Sequence, residues 1–258
     1  MTLLKTSFWI ALSTGIRLVA GFVVAKVLAV YLGPVGFAVI GQFQNFIQMV
    51  LTFSGGMIQT GVVKYIAEFR DNDTEKAKIL STALWICLLS ALIIGVFLFL
   101  LRDVIAIKVL QDIHFSGFIT LFAITLVFYV LNIFLISILN GEGAIRYLTL
   151  SNVGTSILGL ILTLFFVHYY HLRGALLALV STQSVVFFFT LSLVVKSHWF
   201  RLANFVQKID FEYIRNFFKY AAMGVTAAFM LPFFSNYCPR VYWTNSFLAR
   251  RRVLASHD

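Results

Sequence analysis

Two cations, Arg17 and Lys26, sit inside the first long apolar run of a 258-residue chain. A charge placed in such a run costs about 3 kcal/mol to insert, so it marks a water-filled cavity or a polar partner. The bland reading is an internal ion pair or, for Lys26 near the outer end of the run, an ammonium that snorkels to the interface. Nine residues separate them, which at about 100° per residue points them to opposite faces of a straight helix. One cavity holds both only if the helix bends at Gly15 or Gly21. The second run carries a different chemistry. Asn45, Gln48, Thr52 and Gln59 fall within about 60° of one another on a helical wheel, beside Gly41 and Gly55. Amides donate to and accept from sugar hydroxyls without the cost of a buried charge. The same stripe also suits close helix packing in lipid, where small and amide residues join helices.

Covalent chemistry has little to work with. Asp and Glu total ten and almost all lie between the apolar runs. No paired-carboxylate site, phosphate-binding glycine motif, nucleophile-base arrangement or His/Cys ligand cluster is found. The run His168-Tyr-Tyr-His-Leu-Arg173 reads as an aromatic belt at a helix end. Asn132, Asn140, Asn152 and Gln183 read as single packing residues, and Cys87 and Cys238 as inert. The expectation is a protein that is not an enzyme, with no cofactor and no metal.

The elements that must position these residues are membrane spans. Hydrophobic residues make up 60% of the chain and charged ones 12%, and mean hydropathy is +0.93, values that exclude a soluble fold. A span needs about 20 mostly apolar residues, because its backbone must be hydrogen-bonded within the segment. Seven stretches qualify, at 7–32, 37–63, 79–101, 117–140, 150–170, 174–195 and 220–236. Between them lie the turn Gly33-Pro34-Val35-Gly36, a charged loop 64–78, a loop 102–116, the loop 141–146 and a tight turn near His171. The fold class is therefore all-α integral membrane, a six-helix transmembrane bundle at 1–195 plus an incomplete seventh helix.

The formal charge of +10 reads as topology and not as a nucleic-acid surface. With the N-terminus cytoplasmic, the inner segments hold Lys5, Lys64, Arg70, Lys76, Lys78, Arg146, Lys196, Arg201, Lys208, Arg215 and Lys219, and the outer ones only Arg102, Lys108 and Arg173. That asymmetry obeys the positive-inside rule. The first apolar run is expected to be a retained helix, since no small-residue cleavage site comes after it. Residues 196–219 mix aromatic and basic side chains, a composition suited to an interfacial cytoplasmic linker. The stretch 220–236 reaches the lower limit of a span and contains Pro232. After Phe234 the character changes abruptly, and the basic tail 237–258 reads as the product of a shifted reading frame.

Three stretches carry a resemblance. Leu4-Lys-Thr-Ser-Phe-Trp-Ile-Ala-Leu-Ser-Thr14, Lys26-Val-Leu-Ala-Val-Tyr-Leu-Gly-Pro-Val-Gly-Phe37 and Gly61-Val-Val-Lys-Tyr-Ile-Ala-Glu-Phe-Arg-Asp-Asn72 resemble the polysaccharide translocases of the multidrug/oligosaccharidyl-lipid/polysaccharide exporter superfamily, the group of O-antigen and lipid III flippases. The resemblance covers residues 1 to about 236, the N-terminal half of such a protein. It implies two six-helix bundles around a central cavity in the bacterial inner membrane. It implies alternating access that carries an undecaprenyl-diphosphate-linked oligosaccharide from the cytoplasmic to the periplasmic leaflet. Arg17 and Lys26 then face the diphosphate or anionic sugars, with Asn45, Gln48, Thr52 and Gln59 along the glycan path. The implied partners are the lipid-linked oligosaccharide, the bilayer, and a polysaccharide polymerase and chain-length regulator in the same membrane. A truncated chain of this kind lacks the second bundle. The alternatives are a non-functional remnant and a small-molecule exporter of the same superfamily, which an embedded carboxylate in the first helix would favour.

Overall fold

The computed structural model describes residues 3–196, 213–215 and 217. Among them the regular structure is entirely helical: α1 (Leu3–Leu51), α2 (Met57–Glu68), α3 (Asp73–Leu100), α4 (Arg102–Ile105), α5 (Ser116–Gly141) and α6 (Ile145–Val195). Two π-helical turns, Thr52–Gly56 and Ala106–Leu110, and a 3-10 turn, Ile113–Phe115, lie between them.

At 49 and 51 residues, α1 and α6 are too long for one crossing of a hydrocarbon layer about 30 Å thick. Each doubles back. α1 reverses at Gly33 (φ 66, ψ −177), with Pro34 next. A left-handed φ strains any side chain, and Pro lacks the N–H to continue the ladder, so this dipeptide makes a sharp corner. α6 reverses at His171 (φ 48, ψ −124). The return is tight enough that a Cβ on Gly174 would touch the main chain of Phe166. Four long apolar helical stretches thus make six passes: 3–32, 34–68, 73–100, 116–141, 145–170 and 172–195. The chain is a multi-pass membrane protein with an all-α fold.

The passes pack as lipid requires. Phe122 sits at the centre, fully buried, with the rings of Phe43, Phe46 and Tyr129 edge-on to it. Phe22, Val35 and Leu100 are 73%, 79% and 73% exposed, which in a bilayer is contact with acyl chains. The π turn in the second pass leaves carbonyls without helical partners, and the Ser90 hydroxyl donates to Ser54 O there. That substitute is needed because no water reaches the site.

The connections are shorter and more helical than hydropathy suggests. The charged loop expected at 64–78 is only 69–72, since α2 runs to Glu68 and α3 starts at Asp73. Asn72 caps α3 by accepting from Glu75 N, and Asp73 and Glu75 in the first turn oppose the helix dipole. Likewise 102–116 is mostly helical turns, with Gln111 among them at a left-handed φ of 58. Hydropathy detects only the part of a helix inside lipid, and these helices project beyond it.

At one end of the bundle the loops 69–72 and 142–144 are locked together. Arg70 Nη2 donates to Gly141 O at 3.2 Å. Lys76 Nζ lies 2.9 Å from Glu142 Oε1, with side chains only 9% and 8% exposed. The same end receives the described part of the expected linker. Tyr213 donates to Glu75 Oε2 at 2.9 Å, and the Tyr65 ring meets Tyr213 and Phe217. Hydrogen bonds from Lys78 and then Tyr213 hold the Glu75 carboxyl below its ordinary range. Phe217 is 1% exposed, so at this residue the linker is seated in protein and not in the headgroup layer. The rest of the linker, the expected seventh helix at 220–236 and the tail 237–258 lie outside the described residues.

Removing one partner of a buried ion pair strands the other charge. Glu142→Gln is expected to destabilise the bundle by about 3 kcal/mol, and Lys76→Met combined with Glu142→Leu to recover most of that loss. Thermal unfolding of the purified variants in detergent measures both.

Candidate functional site

The two reversals lay pass 1 against pass 2 and pass 5 against pass 6. Their register can be read from cross-chain contacts: Ser151 Oγ and Thr190 Oγ1 are 3.0 Å apart, and a Cβ on Gly159 would lie 3.6 Å from Thr182. Each pair is equidistant from the turn at 170–171. Where the two hairpins face one another, with Tyr129 of α5 at the back, they leave a cavity of about 270 Å3.

The lining mixes small and polar side chains. Ala20, Gly21, Gly159 and Ala178 are small and leave the room. Arg17 projects from pass 1, Gln44 and Gln48 from pass 2, Thr155, Ser156 and Thr163 from pass 5, and Thr182 and Gln183 from pass 6. Several hydroxyl protons are already engaged within their own helices. Thr155 donates to Ser151 O at 2.8 Å, Ser156 to Asn152 O at 3.0 Å and Thr182 to Ala178 O at 2.6 Å. Their oxygens keep lone pairs for an outside donor. Arg17 makes no hydrogen bond or ion pair among the described residues, and it is exposed. Tyr129 donates to Leu179 O at 3.2 Å and so ties α5 to pass 6 behind the cavity. The cavity therefore offers one guanidinium, amides that donate and accept, and a bank of acceptor hydroxyls. That set can hold an anion beside a polyhydroxylated group; no lining side chain is a carboxylate.

Of the six residues singled out from sequence, Arg17 and Gln48 line this cavity, and Lys26, Asn45, Thr52 and Gln59 do not. Lys26 is exposed and is half a helical rotation from Arg17, as nine residues of straight helix dictate. Thr52 donates to Gln48 O at 2.8 Å, inside its own helix. Gln59 leaves the stripe because the π turn at Thr52–Gly56 adds a residue and rotates the remainder of pass 2 by about 100°. Gln44, Gln183 and the pass 5 hydroxyls escaped the sequence reading. The usable signals were the i,i+4 amide pair Gln44/Gln48 and the run Thr155, Gly159, Thr163, small and polar at every fourth residue.

Six apolar passes around a polar, membrane-embedded cavity define a membrane transporter architecture, and comparison with known proteins agrees. A multidrug resistance transporter of the MATE family and MOP superfamily, solved in an outward-facing conformation, superposes with a TM-score of 0.67 at 15% identity, covering 90% of this chain and 54% of that one. The fold is therefore that of the superfamily. A family model described as "Polysaccharide biosynthesis protein" matches residues 3–246, and the chain belongs to that family. The lipid III flippases of Escherichia coli (strain K12) and Shigella flexneri are each 35% identical over 95 residues, which is 37% of this chain and 21% of theirs. The matched stretch thus spans about a fifth of the curated relatives' length.

A water-filled cavity makes a labelling pattern. In a background without Cys87 and Cys238, cysteines at 44, 48, 163 and 183 are expected to react with a small membrane-impermeant thiol reagent about tenfold faster than cysteines at the buried positions 43, 126 and 138. Equal rates at both sets would mean the cavity is dry.

Proposed function

We propose that the chain is the N-terminal bundle of a translocase that moves an undecaprenyl-diphosphate-linked oligosaccharide across the bacterial inner membrane, from the cytoplasmic to the periplasmic leaflet. One observation carries the reading: a single guanidinium, Arg17, unpaired among the described residues, faces amides and hydroxyls in a cavity within the membrane. A diphosphate is the kind of anion a guanidinium binds through two parallel hydrogen bonds. Sugar hydroxyls match the Gln44, Gln48 and Gln183 amides and the acceptor oxygens of Thr155 and Ser156. Membership of the polysaccharide biosynthesis family and similarity to lipid III flippases support this substrate class over others.

The step is non-covalent. Arg17 neutralises the head group as it leaves water, and the hydroxyl and amide lining replaces water around the sugars. Translocation then consists of exposing the cavity to one leaflet and then the other. The orientation rests on the positive-inside asymmetry, which sets the N-terminus and the locked loops 69–72 and 142–144 in the cytoplasm. In the same reading Lys26, Asn45, Thr52 and Gln59 meet the glycan only in another conformation, since they lie outside the present cavity. A polymerase and a chain-length regulator in the same membrane would receive the product. An exporter of cationic small molecules is disfavoured, because such a site needs a carboxylate and the cavity lining has none.

The test is glycan display in a strain whose own lipid-linked glycan flippase is deleted, with the protein expressed from its complete reading frame. Display is expected to return, and to fall about tenfold or more with Arg17→Gln at unchanged membrane abundance. Undiminished display by Arg17→Gln would remove Arg17 from the mechanism.

A further inference from the structure

Beside the polar cavity runs a second hollow of opposite character. It is a groove of about 660 Å3 between pass 1 and pass 5, lined by Phe8, Ala11, Leu12, Gly15 and Val19 on one side and Ile157 on the other. All its walls are apolar. Ala20 and Leu160 line both the groove and the cavity, so the two are continuous across one shared ridge. We propose that this groove seats the polyprenyl chain of a single-chain phospholipid while its phosphate-bearing head reaches Arg17 in the cavity.

The inference rests on the translocase reading for the class of lipid, and on geometry for the place. From Phe8 to Ala20 pass 1 rises about 18 Å at 1.5 Å per residue. One leaflet of hydrocarbon is about 15 Å deep. The groove therefore tracks one leaflet from the N-terminal end of pass 1 to the bilayer middle, and it ends beside Arg17. Phe8, Leu12 and Val19 are 64%, 42% and 66% exposed, so the groove opens sideways to lipid along its length. Its floor is cut low by Ala11 and Gly15, and a Cβ on Gly15 would meet nothing within 4 Å.

These dimensions select the occupant. An ordinary diacyl phospholipid keeps its head at the interface, roughly a leaflet's depth from Arg17, because its two chains must stay parallel in the leaflet. A long single chain can lie in the groove with its head drawn down to the middle of the bilayer. Held this way, the chain never leaves lipid while the polar head never leaves the polar cavity, and neither part meets a wall of the wrong character.

The proposal is tested with a photoactivatable polyprenyl phosphate that carries no sugar, added to the purified protein in nanodiscs of phosphatidylethanolamine and phosphatidylglycerol. Labelling is expected on peptides containing residues 11–16 and 157, and excess phosphatidylglycerol should not compete. Gly15→Leu fills the groove without a clash and is expected to lower labelling about tenfold, equivalent to about 1.4 kcal/mol. Ala11→Leu provides the same test should the glycine variant fold poorly. Labelling spread evenly over the lipid-facing surface, full competition by phosphatidylglycerol, or undiminished labelling of both variants would overturn it. Because the probe has no glycan and needs no transport, groove labelling without restored glycan display would sink the translocase reading and leave the groove standing. Restored display without groove labelling would do the reverse.

Discussion

In hydrocarbon no water is available to the backbone, so every departure from the α-helix must be covered by the protein itself. The described residues depart from it at three places within the passes and their hairpin corners, and all three shape the site. Gly33 and His171 turn two long helices into hairpins. The π turn at Thr52–Gly56 is accepted because Ser90 takes up the Ser54 carbonyl. Without the reversals pass 1 would not lie beside pass 2, nor pass 5 beside pass 6, and the cavity would have no walls. The close approach of the passes depends on small residues where they meet, as at Gly159 against Thr182.

The same absence of water gives Arg17 its meaning. A guanidinium halfway along a membrane pass is costly unless it stands in a polar, hydrated space. The hairpins supply that space with amides and hydroxyls but leave the charge without a partner among the described residues. A buried charge that mattered only for folding would be paired, as Lys76 is with Glu142. The contrast between those two cations separates a structural lock at one end of the bundle from a binding group in its middle.

Much of this was legible in the sequence. Apolar runs marked the passes, because span length and composition answer directly to the lipid. Gly33-Pro34 and the polar break near His171 marked the corners, because those residue types suit them. Helix ends were not legible: Asn72 and Asp73 begin α3 where hydropathy sees only a charged loop. The polar stripe of pass 2 was legible only as far as Gln48, since a fixed 100° rotation fails at a π turn whose cause lies in Ser90 of another pass. Gln183 looked like a packing residue because its neighbours across the cavity come from pass 1 and pass 2, which no local pattern reveals.

What links fold, cavity and family is the claim that Arg17 binds the anionic head of a lipid-linked glycan. Equilibrium binding of an undecaprenyl-diphosphate-linked oligosaccharide to the purified protein in nanodiscs measures it directly. Saturable binding is expected, weakened about tenfold by Arg17→Gln and unaffected by Lys26→Gln. Equal affinity of the wild type and Arg17→Gln would contradict it.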